Sequence, residues 1–119
     1  MPELSIEAVF GTGTSQTATT FSISKTGLAA LLSSAGYTFN PSATNTTDEL
    51  IAAIVCAGLA TLTPAAREAD PATRNIEFLF DPTINFTTTT INNQTYNRHT
   101  VDVSFYKPIA IPKLNPSDY

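Results

Sequence analysis

The chain has 119 residues, a net charge of −4, 42% hydrophobic residues and only 13% charged ones. That length predicts one domain, and the charged share is about half the usual ~25%. Low charge with ordinary apolar content is the reverse of a disordered chain. The six basic residues are Lys25 and five more scattered through the second half. They form no patch, which disfavours a nucleic-acid partner, because phosphate binding runs on clustered Lys and Arg. A single cysteine, Cys56, rules out an internal disulfide framework. The start, MPELSIEAVF, lacks the basic segment and apolar run of an export signal. The longest weakly polar stretch, LIAAIVCAGLATL, has 13 residues, short of the roughly 20 needed to cross a bilayer. The expectation is a soluble protein with no membrane partner, not exported by the ordinary secretory route.

In chain order, ELSIEAVF alternates Leu4, Ile6, Ala8 and Phe10 with Ser5 and Glu7, the pattern of a half-buried strand. GTGTSQT reads as a flexible turn, and ATTFSIS resumes strand character with Phe21 and Ile23. Lys25-Thr26-Gly27 opens a short helix stopped by Gly36. After a polar loop, Thr46 and Glu49 form a capping box at the start of the main helix. That helix carries Leu50, Ile51, Ile54, Val55, Gly58, Leu59 and Leu62 on one stripe, expected to face the core. Ala52, Ala53, Cys56, Ala57 and Ala60 lie opposite, and no charge falls between Glu49 and Arg67. A helix with no charged face requires cover on more than one side. Thr63-Pro64 starts one more helical turn, through Ala65 to Glu68.

Strand character returns from Arg74, with Ile76, Phe78 and Phe80 alternating until Asp81-Pro82. TINFTTTTI and TYNRHTVDVSFY flank an Asn-Asn-Gln turn. Asn92 and Asn93 tolerate positive φ, so a long β-hairpin is expected. The tail KPIAIPKLNPSDY has prolines at 108, 112 and 116, which favours an extended arm over a central strand. The expected fold is α+β, a mainly antiparallel β-sheet packed against one main central α-helix plus a short helix. The domain would span 1–107 and the arm 108–119.

Motifs that carry chemistry are sparse. GTGTS has no following Lys or helix and is not a phosphate loop. His99 is the only histidine, so a hydrolase would need it as base. Asp102, three residues along the strand, points to the opposite face and is badly placed to orient it. Cys56 lies mid-helix on the small-residue face and reads as a structural thiol. One His and one Cys do not make a metal shell. Glu68 and Asp70 could do acid–base work as a pair, but such carboxylates more often cap or solvate a loop. Asn45-Thr46-Thr47, Asn85-Phe86-Thr87 and Asn93-Gln94-Thr95 match the glycosylation sequon, as chance allows in so Asn- and Thr-rich a chain. The expectation is a non-enzyme with no cofactor and no metal.

Three features remain: the charge-free helix, the Thr-rich strand and the arm. Charges, Lys above all, normally protect an exposed strand edge, and TINFTTTTI has none. The residues expected to meet a partner are Thr87, Thr88, Thr89, Thr90 and Tyr96 on the hairpin, with Ile109, Ile111, Leu114 and Tyr119 on the arm. The hairpin 83–105 and KPIAIPKLNPSDY resemble the small structural proteins of tailed-phage virions, in style the capsid decoration or cement proteins. LIAAIVCAGLATLTPAAREADP and INNQTYNRH are similar in flavour to small cyanobacterial or cyanophage reading frames. The resemblance implies a virion protein that self-associates, often as a trimer, and bridges subunits of the major capsid protein. A cytoplasmic ligand- or peptide-binding module, or a tail or connector component, is the alternative expectation.

Overall fold

The computed structural model describes residues 4–70, 75–83, 85–106 and 115–119. Helix α1 (Ile6–Phe10) stands where alternation predicts a strand. Over five residues a strand pattern and a short amphipathic turn look alike. Capping decides between them: Ser5 Oγ accepts from the Ala8 N–H at 3.1 Å, satisfying a donor that a strand would leave open. Strands β1 (Ser15–Gln16) and β2 (Phe21–Ser22) then form a small antiparallel hairpin. The GTGT stretch is not a loose loop. Gly11 and Thr14 are buried, and the Gly11–Thr12 backbone presses on Gly27 so closely that neither glycine has room for a Cβ.

Helix α2 (Lys25–Ser34) is capped by Ser24, which accepts from the Gly27 N–H. It ends as expected at Gly36. The Tyr37 N–H donates to Leu32 O at 2.9 Å and the Gly36 N–H to Ser33 O at 3.1 Å, which is the Schellman arrangement. Helix α3 (Thr47–Thr61) has the expected capping box, and helix α4 (Pro64–Ala69) begins with Thr63 capping and proline in the first turn.

The orientation of α3 is the main correction. Ala53 and Ala57 of the small side pack inward, joined by Gly58 from the expected stripe, while Ile51 of that stripe is 56% and Ile54 39% exposed. Leu28 and Leu32 of α2 fill the space left by Ala53 and Ala57, with Phe10, Ile23, Leu31 and Phe39 around them. At Gly58 the Phe78 ring lies where a Cβ would stand. Close approach selects the small face. Periodicity alone assigned the bulky stripe to the core because neither face bears a charge to break the tie.

The remaining strands form two antiparallel pairs, β3 (Ile76–Leu79) with β6 (Asp102–Phe105) and β4 (Phe86–Ile91) with β5 (Gln94–His99). The fold is α+β and its described strands are all antiparallel, but they lie in three two-stranded pieces rather than one sheet. The long hairpin expected from sequence is present with an interruption. Between the Leu79–Asp102 and Phe86–His99 pairs, one strand inserts six residues and the other two. The four extra residues fall between Leu79 and Phe86, where the Asn85 N–H donates back to Asp81 O. Asn92 (φ 52°) and Asn93 (φ 64°) make the tip, a two-residue turn with both central residues at positive φ.

A 3-10 turn at Pro116–Asp118 precedes Tyr119, whose ring packs edge-on against Phe105 at 5.4 Å. The arm residues Ile109, Ile111 and Leu114 lie outside the described residues. No helix among those described is long and apolar enough to cross a membrane.

Candidate interaction surface

The β4–β5 ribbon is fixed at its root and bare along its shaft. Asn85, 6% exposed, is the root. Its N–H donates to Asp81 O (2.6 Å), its C=O accepts from the Thr100 N–H (2.7 Å) and its Oδ1 accepts from the Asp81 N–H (3.2 Å). Its Nδ2 donates to Asp102 Oδ2 at 3.2 Å, so one side chain joins β6 to the start of β4. A buried amide with every group engaged is a rigid joint. Asp81 in turn accepts from the N–H and hydroxyl of Thr83, which hold its carboxyl below the usual range. His99 lies between Phe86 (4.9 Å, edge-on) and Phe80 (5.6 Å), closing the base with aromatic contacts. In the sequence Asn85 stands out only as part of a chance sequon, not as a joint. A polar residue between two apolar ones was the available signal, and only the bulge makes it a joint. Its burial also removes Asn85 as a glycosylation acceptor.

Above the root, every strand residue of the ribbon is exposed except half-buried Thr89. The predicted contact residues Thr87, Thr88, Thr89, Thr90 and Tyr96 all stand on this shaft. Alternation places Thr87, Thr89 and Ile91 with Arg98, Tyr96 and Gln94 on one face, and Phe86, Thr88 and Thr90 with His99, Asn97 and Thr95 on the other. Thr90 and Thr95 share a hydroxyl hydrogen bond at 3.3 Å. Tyr119 is elsewhere, beside Phe105 at the end of the β3–β6 pair remote from the ribbon.

The outward face of α3 forms a second surface. Ile51, Val55, Cys56 and Leu59 line an open, mainly apolar groove of about 670 Å³ whose far wall includes Tyr37, Phe80, His99 and Val101. The groove brings Cys56 and His99 to one hollow, yet the chemistry there is poor. Burial pushes the Cys56 thiol up, which keeps it protonated and a weak nucleophile at neutral pH. Asp102, the carboxylate that could orient the imidazole, is taken by Asn85.

The other polar cluster ties α4 to the β3–β6 pair. The Tyr106 hydroxyl donates to Glu77 Oε1 at 2.6 Å, and the Arg67 guanidinium carbon lies over the Tyr106 ring, 3.4 Å from its centre. Arg67 Nε has no hydrogen-bond partner, so ring contact holds it there. The bond to Glu77 raises the Tyr106 pKa, with burial adding to it, and outweighs the opposing pull of Arg67. The phenol therefore keeps its proton at neutral pH. Among the described residues no group of three or more His, Cys, Asp or Glu could hold a metal ion.

Comparison with known proteins returns no match at any level: no family model, no curated protein and no solved structure is similar to this chain.

Proposed function

We propose that this chain is a non-enzymatic structural protein of a tailed-phage particle, a decoration or cement protein that stabilises a shell by bridging neighbouring subunits. The observation that carries the reading is the balance of burial. Among the described residues eleven large apolar or aromatic side chains are exposed, against five buried apolar ones. Single exposed hydrophobics are ordinary, but contiguous ones mark contact surfaces. Ile51 and Ile54 share the stretch of α3 beyond Glu49 that bears no charge, and Ile91 and Tyr96 share one face of the ribbon. The phage context rests on the resemblance of the hairpin and arm to virion proteins, and the low charge of both surfaces suits permanent rather than exchanging contacts.

Two measurements test it. Light scattering of the purified chain at micromolar concentration should give an oligomer. Mass spectrometry of purified particles should recover the chain at a fixed ratio to the major capsid protein. A second reading, a soluble binding module, draws on the groove over α3, whose volume falls within the range of ligand sites. A strict monomer that binds small apolar ligands with perturbation of Ile51 and Val55 would favour that module.

A further inference from the structure

Among the described residues the outer edge of β4 is unpaired, and it is uncharged and self-complementary. Its hydrogen-bonding parity follows from the tip, where the two-residue turn directs the N–H and C=O of Ile91 towards β5. Alternation then directs Thr89 and Thr87 the same way. The Asn85 carbonyl agrees, since it accepts from the Thr100 N–H. Phe86, Thr88 and Thr90 therefore point their backbone groups away from β5, and no described backbone group meets them. An edge of this kind is ordinarily blunted by Lys, Pro or a bulge. Here the edge strand reads Phe-Thr-Thr-Thr-Thr-Ile, without charge or proline.

We propose that β4 pairs antiparallel with β4 of a second copy of this chain, about a two-fold axis at Thr88, to give a four-stranded sheet ordered β5-β4-β4-β5. This deepens the assembling-protein reading, and rests on it, by naming the contact between copies. The register follows from parity, because only residues with outward backbone groups can face each other as hydrogen-bonded pairs. With the axis at Thr88, Thr88 faces Thr88 of the second copy and Phe86 faces Thr90, in both directions. That arrangement makes about six new backbone hydrogen bonds. Moving the axis to Thr89 keeps only the two Thr88–Thr90 pairs within the strands. With the axis at Thr88, Thr87 lies opposite Thr89, so threonine meets threonine on the other face, a favourable cross-strand pair. The two-fold contact needs no complementary charge, and a neutral edge lets two acidic chains approach. Growth stops at two strands per side because the remaining edges belong to β5, which carries Arg98 and His99.

The test uses the full chain with Cys56→Ala, so that one introduced thiol reports the register. Facing Cα atoms of a hydrogen-bonded pair stand about 5.5 Å apart, within disulfide range. Thr88→Cys should then form a disulfide-linked dimer under mild oxidation. Thr90→Cys should not, because the axis separates its two copies by about 14 Å along the strands. Thr88→Lys sets two ammonium groups opposite each other and should weaken association at least tenfold by sedimentation equilibrium. Thr95→Lys, on the outer edge, should leave association unchanged. An oligomer that persists in Thr88→Lys, with Thr88→Cys linking no faster than Thr90→Cys, overturns this contact and leaves the assembly reading standing on another surface. A native chain that stays monomeric throughout also overturns it, leaving the particle-recovery measurement to decide whether the chain attaches to a different virion protein.

Discussion

The three helices around Leu28 and Leu32 and the β4–β5 ribbon are built on opposite principles. The helices hold by burial: Leu28, Leu32, Ala53 and Ala57 exclude water from one small centre, at about 1.5–3 kcal/mol for each large side chain removed from water. The ribbon buries almost nothing and holds by its tip turn, its root at Asn85 and cross-strand pairs of about 0.2–1 kcal/mol each. A lone two-stranded ribbon is marginal in water. The contrast separates the part that makes the chain fold from the part with bonding capacity left over. The ribbon's outer edge and the exposed apolar face of α3 are where a partner has most to offer.

The largest break in this contrast comes from the helical side. Leu32→Ala empties the most completely buried large side chain and should destabilise by about 2–5 kcal/mol, seen in urea or thermal unfolding by circular dichroism. A loss under ~1 kcal/mol would mean the helices are not the source of stability. At the joint, Asn85→Ala strands Asp102 and the Asp81 N–H without their partner and should cost about 1–3 kcal/mol. Its signature differs from that of Leu32. Amide exchange should accelerate along Phe86–His99 while α2 and α3 stay protected. Uniform acceleration would show that the ribbon and the helices open together.

Much of this division was legible in the sequence where chemistry is local. The Thr46–Glu49 box, the Gly36 stop, Thr63-Pro64 and the Asn92-Asn93 tip each satisfy particular backbone groups with neighbouring residues, and each stands where expected. The misreadings arise where tertiary contact decides. Ile6–Phe10 became helix through one serine cap, and α3 turned its alanines inward because Phe78, α1 and α2 come too close for isoleucine. The four-residue bulge was not visible, since a register shift belongs to two strands at once. Of the candidate contact residues, Thr87–Thr90 and Tyr96 gather on one ribbon because alternation and a turn suffice to place them. Nothing local in the tail could show that Tyr119 meets Phe105.

Smaller effects sharpen the comparison. Thr46→Ala removes the hydroxyl that accepts from the Glu49 N–H at 3.1 Å and should cost about 1 kcal/mol in the same unfolding experiment. Glu49 is part of this device. The Thr46 N–H and the Asn45 amide donate to its carboxylate and lower its pKa. Ile54→Ala, on the exposed face of α3, should cost about 1 kcal/mol or less in dilute protein. A loss as large as that of Leu32→Ala, growing with protein concentration, would show that another copy covers this face and would erase the distinction between the bulky and small sides of the helix.

The subtlest effect lies at Tyr106, which joins α4 to the β3–β6 pair at the end remote from the ribbon. Its hydroxyl donates to the Glu77 carboxylate, and losing that proton would set two negative oxygens against each other at 2.6 Å. The folded phenol therefore holds its proton to a higher pH than it would unfolded. The contribution to stability is complete below the ordinary phenol pKa and is lost as pH rises through the elevated folded value. The window is alkaline, and the bond is intact at neutral pH. Glu77→Gln should move the Tyr106 midpoint down, read from the pH dependence of its ring carbon resonance. Arg67→Gln, which removes the cation over the ring, should move it up. Opposite shifts in these two variants would establish that the carboxylate and the guanidinium act on one phenol from two sides. A midpoint unmoved by Glu77→Gln would mean that the hydroxyl points elsewhere in solution, and that β3 and the end of β6 are joined there by the backbone ladder without this side-chain bond.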